Sequence, residues 1–501
     1  MRRMKGAAGL LTALLLAFQL SAQTFALANE DNGIKVVPVN FTHNGYSYEI
    51  EGVAKSTDGD YQIKSPARLA ARKLPSTYDP RSSGEITTVK DQASTGACWA
   101  FSALACAEQD LIKKGLENPS AEFSVPALVL SSNSGTATGK DDFSSGGNWL
   151  FAASALANGQ GLCYEDYEPF LESGTENMIV SENKKSVSEY RLNYVMELSS
   201  TTQVKRKIME LGAVSASYFA GNGYMNHNNT AYYDPDASKN TIINHSVTVV
   251  GWDDNYSKDN FRYKPANNGA WLVKGSWGAD QDNDGFYWVS YDEEEFGQFC
   301  CYDFEESCDN TYHYSKMTGY VVNASNDGSV YGANVFTAKA DEKLDKAGFM
   351  YVGKTGSADY TLSVYTNVSD SDPIGVLETQ ISGSVSANGF YTVDFPEDIL
   401  LEEGEKYSIS VKFSGDSGRG YLLAESDRTS KAQSGQSYVS LNGKYWSDVG
   451  ADKTDSIGSL FIYAYTDDTA KPDKSSLESA LAKYGTLAGC EREANNARTV
   501  L

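Results

Sequence analysis

The sequence predicts an α+β domain, with a helical half and a β half meeting at a cleft, followed by an all-β sandwich or jelly roll. Three observations predict it. Between residues 74 and 305 an amphipathic helical pattern comes first and strand-like runs follow. Between 311 and 466 the apolar segments alternate with period two and end in turns that contain glycine. A chain of 501 residues is also too long for one hydrophobic core, so more than one domain is required.

The elements follow in order. Residues 1–28 read as an export leader. Arg2, Arg3 and Lys5 open it, an apolar stretch follows, and Ala26-Leu27-Ala28 supplies the small residues that a signal peptidase requires. The apolar stretch is short against the ~20 residues that cross a bilayer core, and no later segment is apolar enough. The expected location is therefore secreted or extracellular, with cell-wall association through the protein's own domains and no membrane contact after leader cleavage. Residues 29–73 are polar, with mild alternation (Ile34, Val36; Tyr46, Tyr48, Ile50), and read as a short pro-segment. A helix is predicted from Cys98, with Phe101, Leu104, Ala105, Leu111 and Ile112 at helical spacing and Gly115 as its stop. Residues 246–252, 271–274 and 286–291 are rich in β-branched and aromatic side chains and read as strands.

In the third unit Tyr407, Ile409, Val411 and Phe413 alternate with Ser408, Ser410 and Lys412, which predicts one buried face and one wet face. Leu362 and Val364 alternate with Thr361 and Ser363 in the same way. Ser386-Ala387-Asn388-Gly389 and Gly415-Asp416-Ser417-Gly418 read as turns. Residues 467–501 read as a polar linker with Pro472 and a thin helical tail, opened by Ser475 with Glu478 placed to reach back.

Bulk composition excludes several classes. An apolar fraction of 41% and a charged fraction of 22% describe an ordinary globular protein. The formal charge of -24 falls to -27 without the leader, with 39 basic against 66 acidic side chains. Such a field repels phosphates, which excludes nucleic acid as a partner. Seven cysteines (98, 106, 163, 300, 301, 308 and 490) are too sparse for a disulfide-stapled scaffold, and their odd number leaves at least one thiol unpaired or paired between chains. Cys300, Cys301 and Cys308 cluster where a single staple is expected; zinc-ligand spacing is absent.

The chemistry-bearing segment is residues 91–102, Asp-Gln-Ala-Ser-Thr-Gly-Ala-Cys-Trp-Ala-Phe-Ser. It sets a thiol at the mouth of an amphipathic helix, where unpaired amides and the helix dipole favour the nucleophilic thiolate. Gly96 and Ala97 leave the approach uncrowded. Gln92 offers an amide donor that, with the Cys98 N–H, suits an oxyanion. A cysteine on an apolar helix is otherwise core filler. The chain has four histidines, and His245 opens the run Asn244-His245-Ser246-Val247-Thr248-Val249-Val250-Gly251-Trp252. A histidine there is by default a satisfied core residue. A third segment, Trp271-Leu272-Val273-Lys274-Gly275-Ser276-Trp277-Gly278, ends a strand in an indole that either shields the histidine's partner or packs.

Together these three segments resemble the three signatures of the papain family of cysteine peptidases, over residues 74–305. The 147 residues between Cys98 and His245 match the about 130–150 that separate these partners in such enzymes. Leu74-Pro75-Ser76-Thr77-Tyr78-Asp79 is similar to the family's mature start and Gly146-Gly147 to its substrate-lining glycine pair. The resemblance implies Cys98 as nucleophile, His245 as general acid and base, and Gln92 as oxyanion donor. It also implies Gly146, Gly147 and Trp277 at the substrate cleft, where glycine backbone pairs with an extended peptide. No metal or organic cofactor is implied, and the partners are protein or peptide substrates. Many relatives join the positions of Thr95 and Ser144 by a disulfide; here both positions lack cysteine.

One departure bears on activity. The family has an asparagine two residues before the tryptophan of its third motif, and this chain has Gly275. Glycine has no side chain to accept the imidazole hydrogen bond, and losing the orienting member costs a serine peptidase about 10⁴ in rate. Three outcomes stay open: activity with a water, Asn267 or Asn268 standing in; weak activity; or an inactive papain-fold surface adhesin. If orientation alone is missing, Gly275→Asn raises turnover.

The β-rich unit resembles the lectin-like domain that follows papain-type peptidase domains in Gram-positive surface proteins, through Val330-Tyr331-Gly332-Ala333-Asn334-Val335-Phe336 and Tyr365-Thr366-Asn367-Val368. Such a shape does not imply glycan binding, so spacer and cell-surface glycan binder stay open. Tyr445 and Trp446, near Asp448, are the residues that would stack on a sugar. The acidic loops at Asp370 and Asp372, and at Asp280, Asp282, Asp284 and Gly285, carry oxygen ligands of the kind Ca²⁺ takes. The second has Tyr291 where a calcium loop closes with Glu, and both read as solvated loops.

Overall fold

The computed structural model describes residues 34–38 and 73–469, apart from 133–142, 144–145, 160–161, 168, 171–188, 222, 238–242, 280–281, 316–317, 325–327, 354–355, 370, 415–420, 427–431 and 452–456. The expected leader, most of the segment 29–73, Ser144, the expected turn at 415–418 and the expected helical tail lie outside the described residues.

Helix α1 (Cys98–Lys114) begins and ends where its pattern predicts. Gly115 closes it with φ 73°, a left-handed conformation cheap only for glycine, and its N–H donates to the Ile112 carbonyl. Two shorter helices, α2 (Val125–Ser132) and α3 (Trp149–Ala157), pack beside α1 in the helical half, and α4 (Thr201–Leu211) covers the β half.

Among the strands, β1 (Ile34–Pro38) is described below. The β half of the first domain is built from β2 (Tyr190–Glu197), β3 (Val214–Tyr218), β4 (His245–Asp253), β5 (Ala270–Lys274), β6 (Phe286–Ser290) and β7 (Gly297–Glu306). They lie side by side in the order β2-β7-β3-β4-β5-β6. Antiparallel register sets Tyr218 opposite His245 and Val273 opposite Tyr287. Helix α1 is tied to β4 at the place that matters: the Ser102 hydroxyl donates to the Val247 carbonyl at 2.7 Å. Ser102 is about one turn from Cys98 and Val247 two residues from His245, so this bond sets the helix mouth beside the strand start. The segment at Leu74 is anchored to the same strand, since the Trp252 indole donates to the Pro75 carbonyl at 3.1 Å and Tyr78 stacks on Trp252.

The second domain contributes β8 (Thr318–Ala324), β9 (Ser329–Thr337), β10 (Glu342–Tyr351), β11 (Ala358–Thr366), β12 (Val376–Val385), β13 (Gly389–Leu401), β14 (Lys406–Ser414), β15 (Tyr421–Ser426) and β16 (Ile462–Asp468). One sheet runs β12-β11-β14-β9 and on through Ser437–Ser440. The other face, β16-β10-β13, does not end at the domain edge. Strand β13 pairs with β2, Gly389↔Met196 to Tyr391↔Tyr194, so the sheet continues into the first domain. Strand β1 joins a smaller sheet by pairing with β8, so part of the expected pro-segment adds to the second domain.

Two expectations change. Strand β14 does not keep one wet face: Ser408 and Ser410 are buried with Tyr407, Ile409 and Val411. The Ser408 hydroxyl donates to the Pro373 carbonyl, because the loop after β11 folds over that face. The staple among Cys300, Cys301 and Cys308 does not form among the described residues. Neighbours on a strand point to opposite faces, so Cys300 enters the core under α1 and Cys301 the core under α4.

A buried carboxylate bridges the domains. Glu197 accepts from the Trp149 indole at 3.1 Å and from the Asn388 amide at 3.0 Å. Nearby, the Tyr463 hydroxyl donates to Asn158 at 3.1 Å. No helix among the described residues is long and apolar enough to cross a membrane.

Candidate active site

A groove of about 230 Å³ lies between the helical and β halves. Gln92, Cys98, Gly146, Gly147 and His245 all line it. The fold therefore brings together residues spread over more than 150 positions of sequence.

On the helical wall, Cys98 is only 8% exposed at the first position of α1. Burial pushes its thiol up, against hydrogen bonds from Ser246 and from the Trp99 backbone that favour the thiolate. The Gln92 loop is stitched to the segment after β5. Its N–H donates to the Ser276 carbonyl at 2.8 Å, its side-chain oxygen accepts from the Ser276 hydroxyl at 2.6 Å, and its side-chain nitrogen donates to the Thr95 carbonyl at 2.8 Å. Gly147 is required by contact: a Cβ there would sit 2.5 Å from the Trp99 ring. Asn148 caps α3 by accepting from the Leu150 and Phe151 N–H groups.

On the strand wall, His245 opens β4 with its ring stacked on Trp277, 4.3 Å between centres and 6° between planes. Trp277 shields the imidazole and is not among the groove-lining residues. Burial pushes the His245 pKa down to about 3, so the ring is uncharged. Its Nε2 is buried with no hydrogen-bond partner. Neither asparagine considered as a stand-in serves. Asn267 bonds to Asp292 and Asn268 accepts from the Lys258 N–H, and both precede β5 while Gly275 follows it, a span of about 16 Å at 3.3 Å per residue. Gly275 also lacks room, because a Cβ there would lie 3.1 Å from the Gly285 carbonyl and 3.4 Å from the Tyr287 ring. Asn at 275 would therefore need the Gly285 carbonyl to give by a few tenths of an ångström.

Sequence reasoning missed Asn148, Ser217, Ser246 and Gln298, which also line the groove. Asn148 was readable as a cap before an apolar run. Gln298 carries no local signal, yet it holds φ 51°, a left-handed conformation uncommon outside glycine. In the second domain Tyr445 is 80% exposed, whereas Trp446 packs edge-on against Tyr331 and Asp448 accepts from Ser434 and Gly435 to hold its own turn. Asp280 and Asp370 lie outside the described residues, and among those described no three acidic, His or Cys side chains could hold a metal.

The family model described as papain family cysteine protease matches residues 74–326, just over half of the chain. The chain belongs to the papain family. A lectin-like domain model matches residues 311–466. Among curated papain-family relatives, cathepsin K of Mus musculus is 24% identical over 216 residues, covering 43% of this chain and 59% of the relative. Cathepsin L2 of Homo sapiens is 26% identical over 224 residues, covering 44% and 62%. The chain thus spans about six tenths of the length of these relatives. Two solved structures of Cwp84 share both domains. The cysteine protease and lectin-like domains of Cwp84, a surface layer associated protein of Clostridium difficile, give a TM-score of 0.69 at 25% identity, covering 87% of this chain and 98% of that one. Clostridial Cwp84 after propeptide cleavage gives 0.68 at 27%, covering 79% and 100%. The papain-family domain followed by an all-β lectin-like domain is the architecture of this chain.

Proposed function

We propose that this papain-family protein is a secreted cysteine endopeptidase that hydrolyses peptide bonds of extracellular or cell-wall proteins. The observation that carries this reading is the single groove lined by Cys98, His245 and Gln92. The proposed units are a leader at 1–28, a pro-segment at 29–73, a peptidase domain at 74–305, a lectin-like domain at 311–466 and a tail at 467–501.

In the proposed reaction both partners start uncharged, since each is buried. His245 takes the Cys98 proton as the sulfur bonds to the scissile carbonyl carbon, and the carbonyl oxygen becomes an oxyanion. The Cys98 N–H and the Gln92 side-chain amide receive that oxyanion. His245 then gives its proton to the departing amine as the carbon–nitrogen bond breaks. Water, deprotonated by His245, cleaves the thioester and returns the thiol. Gly146 and Gly147 receive the extended peptide through their backbone. Export is supported by the leader-like residues and by the likeness to Cwp84, which is surface-layer associated. The exposed Tyr445 is the place to look for glycan contact by the lectin-like domain.

The test is reaction of the full chain with a peptide-based electrophile directed at thiols, alongside hydrolysis of a protein substrate. Expected is labelling far faster than that of a simple thiol, and loss of both labelling and hydrolysis, by about 10⁴-fold or more, in Cys98→Ala. Labelling at the rate of an ordinary thiol would remove the peptidase reading and leave a papain-fold surface binding protein.

A further inference from the structure

A histidine that accepts the thiol proton becomes an imidazolium, with an N–H on each ring nitrogen. One of these is Nε2 of His245, and nothing bonds to it. The asparagine that would serve it in the papain motif is replaced by Gly275. The space beside Gly275 is bounded by the Gly285 carbonyl and by the Tyr287 ring, which is polar at its tip.

The register explains how. Tyr287 on β6 faces Val273 on β5, and Gly275 lies two residues further along the same face, so Tyr287 and Gly275 are diagonal neighbours. With no Cβ on Gly275 the Tyr287 ring leans across it, its Cε1 3.4 Å from where that Cβ would be. Its hydroxyl reaches over β4 to the hydroxyl of Tyr218 on β3, 2.8 Å away. Tyr218 is the cross-strand partner of His245, and its ring meets the imidazole edge-on at 6.0 Å between centres. Tyr218 is itself held edge-on by Tyr232 and Phe296, and both tyrosines of the pair are buried. Burial pushes the Tyr287 phenol up, with the bond to Tyr218 opposing and Cys98 adding a smaller rise.

We propose that Tyr287, admitted by Gly275 and clamped by Tyr218, is the positioning residue for His245 in place of the motif's asparagine. This inference rests on the peptidase reading. The imidazole is held between the Trp277 face and the Tyr218 edge, and the Tyr287 hydroxyl fixes that edge through its bond to the Tyr218 hydroxyl. Both phenols are buried, so their bond holds the edge in place and needs no reorganisation when the ring takes a proton. Glycine at 275 suits this arrangement, since a Cβ there would press on the Gly285 carbonyl at 3.1 Å and touch the Tyr287 ring at 3.4 Å.

The experiment compares full-length wild type, Tyr287→Phe, Gly275→Asn and the double variant Gly275→Asn/Tyr287→Val. It reads kcat, KM, the rate of Cys98 alkylation and the ¹⁵N shift of the His245 Nε2, which is assignable with only four histidines in the chain. Tyr287→Phe keeps the ring and removes the hydroxyl; kcat is expected to fall about 10- to 100-fold with KM unchanged, and the Nε2 shift to move. Gly275→Asn alone is expected to lower kcat, and the double variant, which frees the volume of the Tyr287 ring though not that of the Gly285 carbonyl, to recover part of it. Unchanged kcat and unchanged Nε2 shift in Tyr287→Phe would overturn the proposal. If wild-type Cys98 reacts only as an ordinary thiol, the peptidase reading fails by itself, and the Nε2 shift still decides whether Tyr287 positions the ring.

Discussion

On the helical wall of the groove Ser102 is tied to Val247, Gln92 to Thr95 and Ser276, and Asn148 to the first turn of α3, while the Trp99 indole N–H is buried without a partner. The strand wall is built otherwise. There His245 is stacked on Trp277, edged by Tyr218, and left with a bare Nε2. The contrast separates two tasks that the papain motif performs together. Bringing sulfur to imidazole depends on packing α1 against β4, and that packing is intact. Orienting the imidazole depends on one side chain near residue 275, and that is where this chain departs from the family.

The comparison can be broken first on the helical wall. Gly147→Ala drives a methyl into the Trp99 ring, which displaces the residue next to Cys98. A misplacement of about 1 Å in a catalytic group costs about 100-fold, so kcat/KM is expected to fall by that order, with Cys98 alkylation slowed in step. Ser102→Ala removes the bond to the Val247 carbonyl and leaves that acceptor buried, costing about 1–3 kcal/mol in urea unfolding and about tenfold in kcat. A normal kcat in this variant would show that the bond does not set the groove.

The strand wall is sharpened by pH. The folded pKa of His245 is about 3 against an ordinary 6.5, so between these values the unfolded chain binds a proton that the fold excludes. Its contribution to stability is complete above pH 6.5 and is lost as pH falls toward 3. The stability of wild type relative to His245→Gln, which does not titrate, is therefore expected to decline between pH 7 and pH 5 in denaturant titrations. Asp110 and Glu293, both pushed up to about 7 by burial, act in the opposite direction. They are common to both proteins and cancel in the difference. Parallel pH profiles would show that His245 is not held uncharged by burial. The smallest effect is expected far from both walls. Asn388→Ala takes one hydrogen bond from Glu197 and one from the Gly353 N–H at the domain junction and should cost about 2 kcal/mol without altering kcat.

Much of this molecule was legible in local pattern. The start and stop of α1, the strands near 245–253, 270–274 and 286–290, and the three papain segments follow from periodicity, from a glycine stop and from short motifs. Each of these is decided by residues within a few positions of one another. Gln298 and Ser246 at the groove were not legible, because their roles arise from where β7 and β4 pass relative to Cys98.

By itself the sequence determined α1 and the strands beside it, the order of the two domains, and which thiol, imidazole and amide to look for in one groove. Tertiary structure alone decided that β14 is covered on both faces, that Cys300 and Cys301 enter different cores, and that one sheet crosses both domains. It also decided what stands behind the histidine. Gly275 in the sequence reads as a missing side chain; in the fold it is the gap through which Tyr287 reaches Tyr218. The physical reason is that close packing is settled by atoms distant in the chain, and a vacancy on one strand is filled from its neighbour.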